Sequence, residues 1–212
     1  MGIHDALGCG LIAFMQGMLR DAAAGGASFT GTTLDPTHTS SALVLSNGDL
    51  TVHASNAFQK ACYAKTPKVG NATQALYFEA TADVLSADWY HNYVWLMDTA
   101  AVAAAGGEEY TQGAGYGYYD AISADLIVGA VIKGCLKNGK MYWGRVGTGW
   151  HNSGDPAAET GYISMIDSRL VAPGAGFLIV GTPSGAQFTF NFGATAWADT
   201  PPAGATGWPL TA

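Results

Sequence analysis

Charge is what this chain has least of. Asp, Glu, Lys and Arg make up 12% of its 212 residues, about half of the ~25% usual in soluble domains. Hydrophobic residues reach 49%, enough apolar surface to close a core, so a disordered chain is excluded. Positive charge is the scarcer sign: nine Lys and Arg face 16 Asp and Glu, a net charge of −7. That field repels phosphate backbones and anionic membranes, and no nucleic-acid partner is expected. Cysteine is sparse too. Cys9, Cys62 and Cys135 are odd in number and far apart, which fits neither a disulfide framework nor paired zinc ligands. They read as small buried hydrophobes.

Among the five histidines (His4, His38, His53, His91 and His151) no two stand at helical spacing beside acidic ligands, so neither a metal nor any other cofactor is expected. Gly113, Gly115 and Gly117 alternate within a tyrosine-rich stretch instead of opening a helix, so no nucleotide-binding fingerprint exists. Glycine is the abundant residue: 29 copies, about twice the usual ~7%, imply many turns and close backbone approaches.

Residues 1–30 stand apart from the rest. Ile3, Leu7, Leu11, Phe14 and Met18 recur at spacings of four and three, the stripe of an amphipathic α-helix. The apolar run from Ala6 to Met15 is short of the ~20 residues a bilayer requires, so no membrane span is expected. His4 and Asp5 precede that run and Arg20 follows it, the reverse of a secretory signal. The helix is expected to anchor the chain on a partner, a sister chain or its own domain. The stretch 22–33, AAAGGASFTGTT, reads as a Gly-rich linker.

Residues 31–212 form the body. Short β-rich segments are predicted at 42–45, 50–53, 76–80, 90–97, 117–119, 128–136, 140–146, 177–180 and 187–192, separated by turn signals. Asn47-Gly48 and Asn138-Gly139 mark two hairpins, since both residue types tolerate the positive φ of a type I′ turn. Phe188, Phe190 and Phe192 alternate with Thr189 and Asn191, which places the phenylalanines in the core. Residues 98–107 read as a loop excursion. The proline-bearing tail, 199–209, reads as extended and unfit for a central strand. Such spacing predicts an all-β sandwich or barrel.

Candidate chemistry is thin. His151, Ser153 and Asp155 on an extended segment would stand at ~7 Å steps, too far apart for the direct hydrogen bonds of a triad. Sequence does not fix a separation between Glu79, Glu108, Glu109 and Glu159, which a glycosidase pair requires. Aromatics near glycine-rich turns, Tyr110, Tyr116, Tyr118, Tyr119, Trp150 and Trp208, are candidates for contact with sugar or protein. Trp150, His151 and Asn152 with Tyr116 form the candidate binding patch, because loops carry function. Tyr77, Phe78, Trp95 and Trp143 read as core.

Several segments resemble successive strands of the SPRY domain: Ser41-Ala-Leu-Val-Leu-Ser-Asn-Gly-Asp-Leu50, Leu76-Tyr-Phe-Glu79, Gly115-Tyr-Gly-Tyr-Tyr119 and Val128-Gly-Ala-Val131. Asn138-Gly-Lys-Met-Tyr-Trp143 with Gly149-Trp-His-Asn-Ser-Gly-Asp-Pro-Ala-Ala158, and Phe190-Asn-Phe-Gly-Ala194 with Thr200-Pro-Pro-Ala-Gly204, resemble SPRY-like modules of bacteriophage structural proteins. The likeness spans residues 34–208. Where that family carries an Asp-rich turn, this chain has Ile132-Lys-Gly-Cys-Leu136. The resemblance implies an antiparallel SPRY-like β-sandwich used for binding or assembly without catalysis.

The resulting expectation is a non-enzymatic virion structural protein. It would be a homo-oligomeric capsid decoration or tail-fibre component at the particle surface, held to other virion proteins through residues 1–30. The alternative expectation is a carbohydrate-binding host-recognition module whose loop aromatics contact a host glycan.

Overall fold

A computed structural model describes residues 31–37, 39–54, 62, 64–65, 75–85, 93–97, 115–117, 127–165, 177–181 and 185–208. The expected N-terminal helix, with Ile3, Leu7, Leu11, Phe14 and Met18, lies outside the described residues, as do Cys9 and the excursion at 98–107.

The described body is all-β. Its strands are β1 (Leu43–Ser46), β2 (Thr51–Ala54), β3 (Ala75–Val84), β4 (Tyr93–Met97), β5 (Gly115–Gly117), β6 (Val131–Lys137), β7 (Lys140–Arg145), β8 (Gly149–Trp150), β9 (Ser164–Met165), β10 (Phe177–Gly181), β11 (Gln187–Asn191) and β12 (Ala205–Gly207). Among the described residues the only helical piece is a 3-10 turn at His151–Ser153, and no helix is long and apolar enough to cross a membrane. The larger sheet runs β1-β2-β11-β3-β6-β7-β8, with β9 also on β7 and β12 also on β3. A second, antiparallel sheet runs β10-β4-β5.

Within the larger sheet, β6 and β7 are joined by Asn138 and Gly139 alone, whose φ values of 48° and 71° make the expected two-residue turn. The β1–β2 hairpin also forms, but through a longer loop. Asn47, Gly48 and Asp49 take φ of 54°, 64° and 64° in succession, and the Leu50 amide donates back to the Ser46 carbonyl at 3.2 Å. The tail is extended and supplies no central strand, as expected. After Pro201-Pro202 it forms β12, which pairs in parallel with Ala75–Tyr77 at the start of β3.

Strand β3 is buried on both faces over most of its length, as are β6 and β7. One face holds the main core, where Leu76, Phe78, Ala80 and Ala82 of β3 meet Ile132, Met141, Trp143, Phe188, Phe190, Phe192 and Trp208. The three phenylalanines of β11 and its extension are therefore core as the alternation predicts. Trp208, a turn aromatic by sequence, is also fully buried. Cys62 and Cys135 are both buried. Thr32 donates its amide to the Trp208 carbonyl at 2.8 Å, so the chain enters the body beside its own last strand.

Candidate functional site

The second face of the large sheet carries the polar chemistry. Cross-strand partners share a face, and here they form three rows. The first is Thr51 on β2, Thr189 on β11, Thr81 on β3 and Val131 on β6. The next is Asn191, Glu79, Lys133, Gly144 and Trp150. The third is Tyr77, Cys135 and Tyr142. The rows thus change from hydroxyls through charges to aromatics at Thr81, Glu79 and Tyr77 of β3.

The middle row is closed by a strap that follows β11. Glu79, 3% exposed, accepts the Tyr77 hydroxyl at 2.9 Å on Oε1, the Asp199 amide at 3.0 Å on Oε1 and the Ala198 amide at 2.9 Å on Oε2. A carboxylate in an apolar sheet requires such partners, because an unpaired buried charge is costly. Lys133, 4% exposed, donates to Asp199 Oδ2 and stands 4.8 Å from the centre of the Trp150 ring, a cation–π arrangement. Gly144 makes room for this: a Cβ there would lie 3.0 Å from Lys133 Cε and 2.4 Å from the Gly149 carbonyl oxygen.

Trp197 of the strap meets Tyr77 edge-on at 4.8 Å between ring centres. Trp150 reaches Tyr77 at 6.3 Å and Tyr142 at 6.5 Å, both edge-on. Burial and the neighbouring Glu79 push the Tyr77 hydroxyl well above its ordinary range. Burial also pushes the Cys135 thiol and the Tyr142 hydroxyl up to about 12. All three are therefore neutral at physiological pH and are poor nucleophiles.

The first row is a directed hydrogen-bond chain. Thr189 Oγ1 donates to Asp83 Oδ2 at 2.6 Å, since an ionised carboxylate only accepts. Thr51 Oγ1, 2.8 Å from Thr189 Oγ1, is then the donor of that pair, and it accepts from Asn47 Nδ2 at 3.4 Å. Between this row and the strap lies a groove of about 320 Å³, lined by Asn47, Thr81, Glu79, Thr189 and strap residues 194–198.

At the far edge, the sequence-proposed patch is only partly assembled. Trp150 is half-buried and tied into the aromatic row, whereas Asn152 is exposed at φ 51° in the 3-10 turn beside half-buried His151. Tyr116 belongs to β5 of the other sheet, opposite Leu96. Asp155 Oδ1 accepts the amides of Ala157 and Ala158 at 2.8 and 3.1 Å, and its backbone bridges to Thr160. It therefore organises its own loop. Glu159 accepts from Lys140 at 2.9 Å and Asn138 at 3.2 Å, donors that hold its carboxyl below the usual range. Lys137 donates to the Pro156 and Ala157 carbonyls, 3.1 Å each, which ties the loop to the β6–β7 hairpin.

Sequence reasoning missed Lys133, Trp197 and Asp199. The available signal was a lysine inside the otherwise apolar run of β6. Among the described residues no group of three or more His, Cys, Asp or Glu side chains is arranged to hold a metal.

No protein-family model matches this chain, and no curated protein matches it. Among solved structures it is similar to the SPRY domain of human HERC1, with a TM-score of 0.50 and 11% identity over 74% of this chain and 96% of that one. It is also similar to stonustoxin, with a TM-score of 0.46 and 14% identity over 76% of this chain and 27% of that one. At such identities the likeness speaks for fold and not for partner. The described body has an all-β, SPRY-like fold.

Proposed function

We propose that this chain is a non-enzymatic structural protein of a phage particle. In this reading the SPRY-like module is displayed at the particle surface in multiple copies, and the apolar stripe of residues 1–30 holds it to other virion proteins. The observation that carries the non-enzymatic part is the state of Glu79: both carboxylate oxygens are engaged by the strap amides and one also by Tyr77. A general acid or base needs an oxygen within reach of a substrate proton, and this carboxylate serves instead to fasten the strap. The phage location rests on the segments quoted above, foremost the pair 138–143 and 149–158.

Quantitative mass spectrometry of purified particles tests it. The full chain is expected in many copies per particle, and a version lacking residues 1–30 is expected to stay folded and be left out. Absence of the full chain from particles overturns the virion reading, and incorporation of the truncated chain at full copy number overturns the anchor.

A further inference from the structure

The groove beside the threonine row has no role in fastening the strap, and its chemistry is specific. We propose that it binds a neutral saccharide, one or two hexose units long. Its volume, about 320 Å³, lies at the small end of the roughly 300–1,000 Å³ found for small-ligand sites. Its floor offers hydroxyl and amide groups. Thr81, half-buried at the centre of the row, lines the groove and has a hydroxyl with no hydrogen-bond partner among the described residues. Asn47 uses one amide hydrogen on Thr51, which leaves its carbonyl oxygen open.

The other wall is the strap, where Ala194, Ala196 and Trp197 add apolar surface. A sugar ring pairs a C–H face with hydroxyl edges, and a polar floor opposite an apolar wall matches both.

Charge selects against other small ligands. The carboxylate that lines the groove, Glu79, is already satisfied by three donors, and Asp83, at the end of the threonine chain, by Thr189 and the Gln187 amide at 3.3 Å. They require no cation, and together with a net charge of −7 they repel phosphates and acidic sugars. Lys133, the register partner of Glu79, is occupied by Asp199. The frame of the site is also preorganised: the one-way chain Asn47, Thr51, Thr189, Asp83 fixes the Asn47 amide and the Thr189 side chain beside Thr81, and Asn191 fixes the strap by donating to the Ala196 carbonyl at 3.1 Å and accepting the Gly193 amide at 2.9 Å. Donors held in place before binding lower the ordering cost of association.

The test is amide chemical-shift titration of the full ¹⁵N-labelled chain with maltose, cellobiose and lactose. At least one sugar is expected to shift the amides of Thr81, Thr189 and 194–197 to saturation. Thr81→Val, which keeps the shape and removes the free hydroxyl, is expected to weaken binding by about fivefold. Ala196→Trp, at an exposed strap position, fills the groove without touching the core and is expected to abolish the shifts in a chain whose remaining spectrum is unchanged. The proposal is overturned if none of the three sugars produces a saturable shift at these amides. It is equally overturned if the shifts centre on Trp150–Asn152, survive Ala196→Trp, or are matched at lower concentration by glucose 6-phosphate. Particle incorporation does not enter this measurement, so this inference and the virion reading fail separately.

Discussion

Phe78 and Trp143 sit on strands separated by β6, yet their ring centres are 5.4 Å apart and the rings meet at 83°. They touch because the residue between them in register is Gly134. A Cβ at that position would stand 2.4 Å from Phe78 Cζ and 3.0 Å from Trp143 Cζ3. Two large rings across an empty position pack as one layer, and edge-on aromatic pairs are favourable beyond their buried area.

Gly134→Ala is therefore expected to destabilise the fold, although alanine is ordinarily the better strand residue. Both rings are fully buried, so the added methyl forces them apart at a cost of roughly 1–3 kcal/mol. Urea unfolding measures this. Phe78→Leu added to Gly134→Ala should cost less than the sum of the two single changes, since each relieves the other. Strict additivity would show that the methyl is accommodated elsewhere.

The β6–β7 turn gives a second test. Gly139 at φ 71° occupies a left-handed conformation in which a β-branched side chain is strained. Gly139→Val should lower the midpoint of thermal unfolding, by an amount corresponding to ~1–2 kcal/mol. An unchanged midpoint would mean that the turn adopts another form in solution.

A third concerns β11. Phe190 and Phe192 are buried and stacked, 5.5 Å between centres and 6° between planes, so either Phe→Ala should cost about 3–5 kcal/mol. Thr189, between Phe188 and Phe190, lies on the opposite face. Period-two alternation makes Thr189→Ala a mild change; its hydroxyl joins Thr51 to Asp83, and its loss should cost about 1 kcal/mol. A Thr189→Ala penalty as large as those of the phenylalanines would contradict the register.

The contrast shows what the sequence made legible. Turn chemistry and period-two alternation are local, so the Asn138-Gly139 hairpin, the phenylalanine face and the positions of most strands could be read within a few residues. The strap could not. Glu79 and Asp199 are 120 residues apart, and nothing near either one announces the other. Pro201 and Pro202 read correctly as barring a central strand, but the parallel pairing of β12 with β3 just beyond them has no local signal. The sequence leaves Trp208 undecided for the same reason: its glycine- and proline-rich neighbours describe a turn, while its burial is decided by β3 and Phe78, 6.3 Å away between ring centres. The candidate groove is the extreme case, since its floor comes from three strands distant in sequence.

The last prediction follows from the asymmetry of the Lys133–Asp199 pair. The lysine side chain is 6% exposed and the aspartate 31%, so water reaches one partner and not the other. Removing Asp199 leaves a buried ammonium with no other ion pair among the described residues, whereas removing Lys133 leaves a carboxylate that solvent can still hydrate. Asp199→Ala should therefore be the more destabilising change, approaching the ~3–5 kcal/mol typical of a broken buried pair, and Lys133→Met distinctly milder. The pH dependence has a definite sign. The hydrogen bond from Lys133, aided by the Thr200 amide and opposed by burial, holds the Asp199 carboxyl below its ordinary value of 3.8. A depressed folded value means that the contribution is complete above that ordinary value and is lost as pH falls from there through the lower folded one. Urea midpoints of the wild type and of Asp199→Ala, taken from neutral pH down to about pH 2, should thus converge at the acid end, because only the wild type has this contribution to lose. Parallel curves, or a Lys133→Met variant weaker than Asp199→Ala at neutral pH, would show that the strap is held by the Glu79 amide contacts alone.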